Sequence, residues 1–507
     1  MSILRTKSVE QSIKDTEDGE HQLKRELKAL DLLVFGIGMI IGTGIFVLTG
    51  IAAATKAGPA IVLSFVVSGI TCAFAALCYA EFASSVPVAG STYTFAYASL
   101  GEIVAWIIGW DLLLEVIVGA SAVSVSWAKY FNTILHYIGI QLPTSLTGGQ
   151  PVIAGLNINL LATCIALLLT IVVTIGIRES ARFNLVVTSI KLAVVVFFII
   201  FGLFFIKAAN WVPFIPPAGP APHPANAGSS NGFLDQPLIA LILGQQSAFG
   251  FQGIITGAAV VFFAYIGFEI VSTTAEETRN PQRDMPIGIL GSLLVCTVLY
   301  IAVSFVLTGM VSYKQLNTEA PMATAFTLVG QGWAAVLVSI GAICGLTSVI
   351  MVQLLGASRV FFAMSRDRLL PAWFARTHPR FRTPYRINII IGCLVAIIAT
   401  ITPIQELADL VNYGTLLAFI LVSIAVIVLR RRNPDLPRAF RVPWVPLLPI
   451  LSVLCCTYLL ISLPIVTWIR FIVWLAIGFA VYFLYSMHHS RLAASNIEDR
   501  KEAVSRG

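Results

Sequence analysis

Four ionisable side chains sit in stretches that are otherwise almost wholly apolar. Lys191 lies in "NLVVTSIKLAVVVFF", Asp111 and Glu115 in "GWDLLLEVIVG", and Glu269 in "FFAYIGFEIVSTTAEETRNPQRDMP". A charge at the middle of a bilayer costs ~3 kcal/mol even on lenient scales, so such residues are seldom idle. Lys191 is seven residues beyond Asn184, which at ~1.5 Å per residue leaves its amine about 10 Å from the interface. It either snorkels out along its stem or stays inside. An amine that stays can gain and lose a proton, because burial disfavours its charged form. Asp111 and Glu115 are four apart and share one helical face. In low dielectric they do not both ionise readily. They suit a proton relay, a contact with a cationic substrate, or a pair hydrogen-bonded to neighbouring helices.

A second kind of chemistry is offered by the main chain. "GIGMIIGTGIF" (36–46) carries Gly36, Gly38, Gly42 and Gly44 in the middle of an apolar run. Gly38 and Gly42 form a small-xxx-small pair suited to close helix packing. Glycine also tolerates non-helical dihedrals, so the helix can open near residues 41–44. The half-helix that follows would present N–H groups and a positive dipole end to a carboxylate, and carbonyls near Gly38–Ile41 would face an ammonium. Ile40, Ile41, Thr43 and Gly44 are the substrate-binding candidates here. The later segment 262–286 has Gly267 in mid-run with Thr273 and Thr274 after it. An opening near Ile266–Gly267 would add carbonyls from Phe262–Tyr265, with Phe263, Tyr265, Ile266 and Phe268 as candidate pocket walls. Acceptors for an ammonium beside donors for a carboxylate describe an α-amino acid.

The elements that must position these groups follow from composition. Of 507 residues, 57% are hydrophobic and 11% charged, against about 25% charged in soluble domains. A spanning helix needs about 20 mostly apolar residues. Such runs lie near 30–54, 60–83, 103–127, 157–177, 184–207, 254–276, 286–311, 333–362, 387–403, 405–430, 445–463 and 467–487, which predicts twelve transmembrane helices. Interrupted segments at matching places in two halves point to a transporter's central site. The expected domains are a cytoplasmic tail (1–28), a first inverted repeat (29–207), an external Pro/Gly-rich loop (208–253), a second repeat (254–430), two further helices (431–487) and a cytoplasmic tail (488–507). Residues 84–102 are expected to form a turn and a short interfacial helix.

Lys and Arg crowd one side of this topology: the N-terminal tail, Arg178, Arg182, Arg279, Arg283, 359–386, "RRRNPDLPRAFR" (430–441) and the C-terminal tail. The other side has Lys56, Lys129, Lys207, Lys314 and Arg470. The positive-inside rule then places both termini in the cytoplasm. The net charge of +7 reflects topology and attraction to anionic lipid rather than nucleic-acid binding. No cleavable signal peptide precedes the first run. The eight cysteines fall in apolar runs without metal-type spacing and the six histidines are scattered, so no metal is expected. "GxxxxGK[ST]" is absent, which argues against a built-in ATPase. At the cytoplasmic exit, Glu276, Glu277 and Arg279 suit a salt-bridge latch that Glu81 would join.

"FFAYIGFEIVSTTAEETRNPQRDMPIGI" resembles the sixth-helix signature of the cationic amino acid transporter family, within the amino acid–polyamine–organocation superfamily. "IGTGIFVLTG" resembles its first helix, "YAEFASSVPVAGSTYTFAY" its second-helix exit and "RVFFAMSRDRLLP" its eighth-helix exit. The resemblance runs from about residue 24 to 487, and the compact chain is similar to bacterial members. It departs at Glu269, where the family usually has aspartate.

The resemblance implies an all-α polytopic membrane protein with a leucine-transporter-type 5+5 inverted repeat plus two C-terminal helices, and amino acid transport by alternating access. Some proton-coupled members of the superfamily place a fifth-helix lysine where sodium-coupled relatives bind the ion, between helices one and eight. Lys191 falls on the fifth helix and is expected to couple transport to protons through contacts near Gly38 and with Thr347 or Ser348. Asp111, Glu115 and Glu269 are the relay or gate candidates. The expected activity is import of small neutral or broad-range L-amino acids across the cytoplasmic membrane, with the proton as coupling ion and no cofactor. Cationic substrates, amino acid exchange and a membrane sensor are the competing readings. An enzyme is not expected, because no His, Cys or acid cluster faces a cleft. Expected partners are the amino acid and the bilayer, with a small membrane protein, sterol or lipid left open.

Overall fold

The structure, a computed structural model, describes residues 26–85, 93, 96, 97, 101–143, 145–153, 156–176, 181–219, 233–243, 248–375 and 384–490. Several segments singled out above lie outside the described residues: the tail through residue 25, most of 86–100, Arg178, residues 220–232, residues 376–383 and the tail beyond 490. The side chains of Arg182 and Glu276 lie outside them too.

The described chain is almost entirely helical. Its principal helices are α1 (Ala29–Ile40), α2 (Ile61–Ser85), α3 (Glu102–Tyr137), α4 (Leu160–Ile175), α5 (Ala181–Gly202) and α6 (Gly250–Val261). The remainder are α7 (Pro281–Met310), α8 (Gly332–Arg366), α9 (Tyr385–Ile401), α10 (Ile404–Arg432), α11 (Leu447–Ile461) and α12 (Ile465–Val481). By length and composition, eight stretches of the described residues can cross a membrane, and four further apolar helices have 10–17 residues. The protein is a polytopic membrane protein.

The helical architecture carries one small addition among the described residues. Strands β1 (Thr147–Ile153) and β2 (Leu156–Asn159) form an antiparallel hairpin between α3 and α4. Residues 148–151, "GGQP", are poor helix formers, and the hairpin hands the chain to α4, where the Asn159 side chain accepts from the Ala162 N–H at 3.0 Å as an N-cap. The Pro/Gly-rich segment is also not bare coil, since a short helix spans Leu238–Leu243.

α1 and α6 stand apart. Each has 12 residues, about 18 Å of helix, well short of a ~30 Å hydrocarbon core. Each therefore continues past an interruption. After α1 the chain resumes at Gly44 through π- and α-wound turns to Ala57. After α6 it tightens over Phe262–Tyr265, breaks, and resumes over Glu269–Glu277. α1 lies along α7: a Cβ on Gly36 would meet Ser292 Oγ at 2.5 Å, and one on Gly288 would meet Leu32 Cβ at 2.6 Å. α3, the longest helix, is buried along most of its length and packs on α8 and α10.

Candidate functional site

The first interruption falls where the glycines predict it. Ile41 is extended (φ −72°, ψ 98°) and its N–H closes on the Ile37 carbonyl at 3.0 Å. In the sixth rod Ile266 is extended (φ −61°, ψ 132°) and Gly267 has φ +126°, a conformation that a side chain opposes. The two breaks touch. A Cβ on Gly44 would collide with Ala264, and one on Gly267 would lie 3.0 Å from the Met39 carbonyl carbon. Tight packing therefore falls on Gly36 and Gly44. Gly42, by contrast, has Val349 Cγ2 no nearer than 3.7 Å, an ordinary van der Waals distance.

Ile40, Ile41, Thr43, Gly44 and Phe263 are all buried at this junction, and Ile266 is half-buried. The Thr43 hydroxyl is buried with no hydrogen-bond partner. Two of the expected wall residues face elsewhere. The Tyr265 hydroxyl donates to the Phe65 carbonyl at 2.7 Å, with its ring against Phe65 and Tyr300. Phe268 packs edge-on to Tyr79 and tilted against Phe419. Phe263 and Ile266 thus remain as the side-chain neighbours of the break.

Lys191 settles between its two readings. It is 0% exposed, and its Nζ donates to the Gly38 carbonyl at 2.6 Å. Its stem lies over Gly345 of α8, where a Cβ would meet Lys191 Cγ at 2.8 Å. The side chain is directed into the bundle, between α1 and α8, rather than out to an interface. Thr347 and Ser348 have other engagements: Trp127 Nε1 donates to Thr347 Oγ1 at 3.0 Å, and Ser348 donates to the Gly345 carbonyl at 3.0 Å.

The three carboxylates converge on one region. Asp111 and Glu115 are both buried on the α3 face turned to α10, where Gly414 leaves room for the Asp111 carboxylate. Both Asp111 oxygens and Glu115 Oε2 lack hydrogen-bond partners. Glu115 is within electrostatic reach of Glu269 as well as Asp111. The Glu269 carboxylate takes the Gly267 N–H, at 2.9 and 3.0 Å to its two oxygens. It braces the sixth-rod break by supplying the acceptor that the missing helical turn withdrew. Among the described residues no group of three His, Cys, Asp or Glu is placed to hold a metal.

Glu81 is engaged away from the expected latch, whose Glu276 side chain lies outside the described residues. Glu81 does not join Glu277 and Arg279. Its carboxylate accepts from Arg430 Nε at 2.9 Å and Nη2 at 2.5 Å and from the Val442 N–H at 2.7 Å, with Arg438 Nε at 3.5 Å. The tie at the start of α1 is peptide to peptide: the N–H groups of Glu26 and Leu27 donate to the Glu277 carbonyl, and that of Arg279 to the Leu27 carbonyl. Arg430 follows Glu81 by 349 residues, and nothing local in the sequence marks the two as partners.

Tyr300, Tyr130 and Asn412 were missed. Tyr300 hydroxyl stands 2.7 Å from the Ile40 carbonyl and 2.9 Å from that of Ala264. Tyr130 donates to the Phe46 carbonyl at 2.6 Å, and Asn412 Nδ2 to that of Ala259 at 2.8 Å. All three attach to the broken rods. Their sequence signal is faint: a polar tip inside an apolar run needs a partner.

A family profile described as amino acid permease matches residues 27–485. The chain is 47% identical over 470 residues to the methylthioribose transporter of Bacillus subtilis, covering 93% of this chain and 95% of that protein. It is also 47% identical over 494 residues to the branched-chain amino acid permease BcaP of Bacillus subtilis, covering 97% and 99%. Cationic amino acid transporter 4 of Homo sapiens is 35% identical over 428 residues, covering 84% of this chain and 63% of that one.

Proposed function

Because this chain belongs to the amino acid permease family, whose members are transporters and not enzymes, we propose that it imports L-amino acids across the cytoplasmic membrane by alternating access with proton symport. In this reading the principal helices are twelve spans, α1–α5 and α6–α10 are inverted repeats, and both termini are cytoplasmic. The reading rests on one observation above all: two interrupted rods touch at Gly44–Ala264 and at Gly267–Met39. Helix starts offer N–H groups to a carboxylate, here beside the free hydroxyl of Thr43. Helix ends offer carbonyls to an ammonium, here on Ile40 and Ala264.

Small neutral amino acids are favoured as substrates. The side chains that flank the break, Ile40, Ile41, Phe263 and Ile266, are apolar, and an apolar wall discriminates by size rather than charge. The relative named as a branched-chain permease is in keeping with this. Cationic substrates are the second reading, motivated by the unpartnered Asp111 and Glu115 oxygens and by relatives named cationic amino acid transporters.

For the driving ion, the supporting observation is the fully buried Lys191 amine on the Gly38 carbonyl. A fixed positive charge there occupies the peptide group just before the break. Loss of its proton weakens that tie, so protonation and the shape of α1 are linked. Asp111, Glu115 and Glu269 are the groups through which a proton would be relayed or the gate set. Uptake of labelled L-valine into proteoliposomes with an imposed inward-directed proton gradient tests the proposal. Accumulation that follows the gradient supports symport; uptake that ignores it but requires internal amino acid indicates exchange.

A further inference from the structure

We propose that Tyr300 is a positioning residue for the substrate's amino group. It holds the carbonyls of Ile40 and Ala264 as a paired acceptor that its own single hydrogen cannot satisfy. The inference rests on the reading that an α-amino acid occupies the junction of the two breaks.

Ile40 ends α1 and Ala264 lies in the last turn before the sixth-rod break. The Tyr300 hydroxyl is within hydrogen-bond range of both carbonyls, at 2.7 and 2.9 Å. A phenol has one hydrogen to donate. The phenol can therefore donate to only one of the two carbonyls at a time, in a region where Tyr300 is 0% exposed. A buried acceptor left short costs free energy, and each carbonyl has two lone pairs. A primary ammonium brings three donors on one atom and suits such a pair. The Glu269 carboxylate accepts the Gly267 N–H and is thereby directed to the main chain.

The placement of the phenol is not incidental. The Tyr300 ring is wedged between those of Phe65 and Tyr265, with centroids at 5.5 and 5.4 Å. It stands on α7, an unbroken 30-residue helix. A rigid helix thus sets the spacing of two carbonyls that belong to two separately interrupted rods. Without the hydroxyl the two oxygens would repel and separate, and the ammonium would find one acceptor where it had two.

The test uses the full chain in proteoliposomes, with L-valine, N,N-dimethyl-L-valine and 3-methylbutanoate, the desamino analogue, as probes. In the unaltered protein N,N-dimethylation, which leaves one N–H for two carbonyls, is expected to weaken competition by about tenfold or more, the scale of a lost hydrogen bond to a charged group. Tyr300→Phe keeps the ring packing, and is expected to raise the KM for L-valine by a similar factor with a smaller change in maximal rate. Its affinity for 3-methylbutanoate is expected to stay constant, so discrimination for the amino group narrows. An unchanged KM for L-valine in Tyr300→Phe overturns the inference. So does an equal loss for both ligands, which is the signature of a structural role. A third contrary result, readable without any variant, is N,N-dimethylation that leaves affinity intact. If the unaltered protein takes up L-valine while any of these holds, only the role of Tyr300 is lost. If it transports neither L-valine nor L-alanine, the substrate reading above falls and the inference with it.

Discussion

The ammonium of Lys191 rests 2.6 Å from the carbonyl oxygen of Gly38. A side chain from α5 thereby engages a carbonyl in the last turn of α1, immediately before that helix opens. A neutral amine holds a carbonyl less firmly than an ammonium, because hydrogen bonds from charged donors are about twice as strong.

Lys191→Met removes the charge and keeps much of the apolar stem. Accumulation of L-valine driven by an inward proton gradient is expected to fall to the level of liposomes without protein. Binding, read as a ligand-induced thermal shift in detergent, is expected to persist. Gradient-driven uptake by this variant would remove Lys191 from the coupling scheme.

The glycines of the first break are predicted to differ sharply. Gly44→Ala drives a methyl group into Ala264 and is expected to cost about 1–3 kcal/mol, as overpacked sites do. Gly42→Ala meets only Val349 at an ordinary 3.7 Å and is expected to stay within about 1 kcal/mol of the parent. Thermal unfolding of both purified variants decides the matter, and equal midpoints would contradict the contact described here.

Glu81→Gln breaks the tie between α2, α10 and the Val442 segment. Glu81 is only 4% exposed but Arg430 is 25% exposed, so the loss is expected near the lower end of the 3–5 kcal/mol typical for one partner of a buried pair. Arg430→Lys, which loses the two-pronged geometry, should fall between parent and Glu81→Gln in unfolding temperature.

Asp111→Asn is expected to stabilise the protein by about 1 kcal/mol, since neither Asp111 oxygen has a partner and the amide can donate to the unpaired Glu115 oxygen. A lower unfolding midpoint would indicate that the carboxylate is held by a favourable contact. The unaltered protein, screened against amino acids, is expected to shift more with valine, leucine and alanine than with arginine.

Much of this was legible in the chain. Apolar runs marked the helices, and the positions of Gly36–Gly44 and Gly267 marked both interruptions, because periodicity and backbone freedom are local properties. The burial of Lys191 could be anticipated from its depth in an apolar run, and so could its approach to Gly38 once the resemblance had suggested which helix it faced. The hairpin at Thr147–Asn159 was overlooked because its turn residues read equally well as plain loop.

What only the tertiary structure decided is which groups meet across the bundle. Glu81 finds Arg430, Tyr300 finds two carbonyls 260 and 36 positions away, and Tyr265 and Phe268 turn toward Phe65 and Phe419. Hydrophobic burial sets where a helix lies and which stripe it hides, but it has no direction. The directional contacts depend on the rotation and crossing of rods distant in sequence, and these are fixed only when all of them pack together.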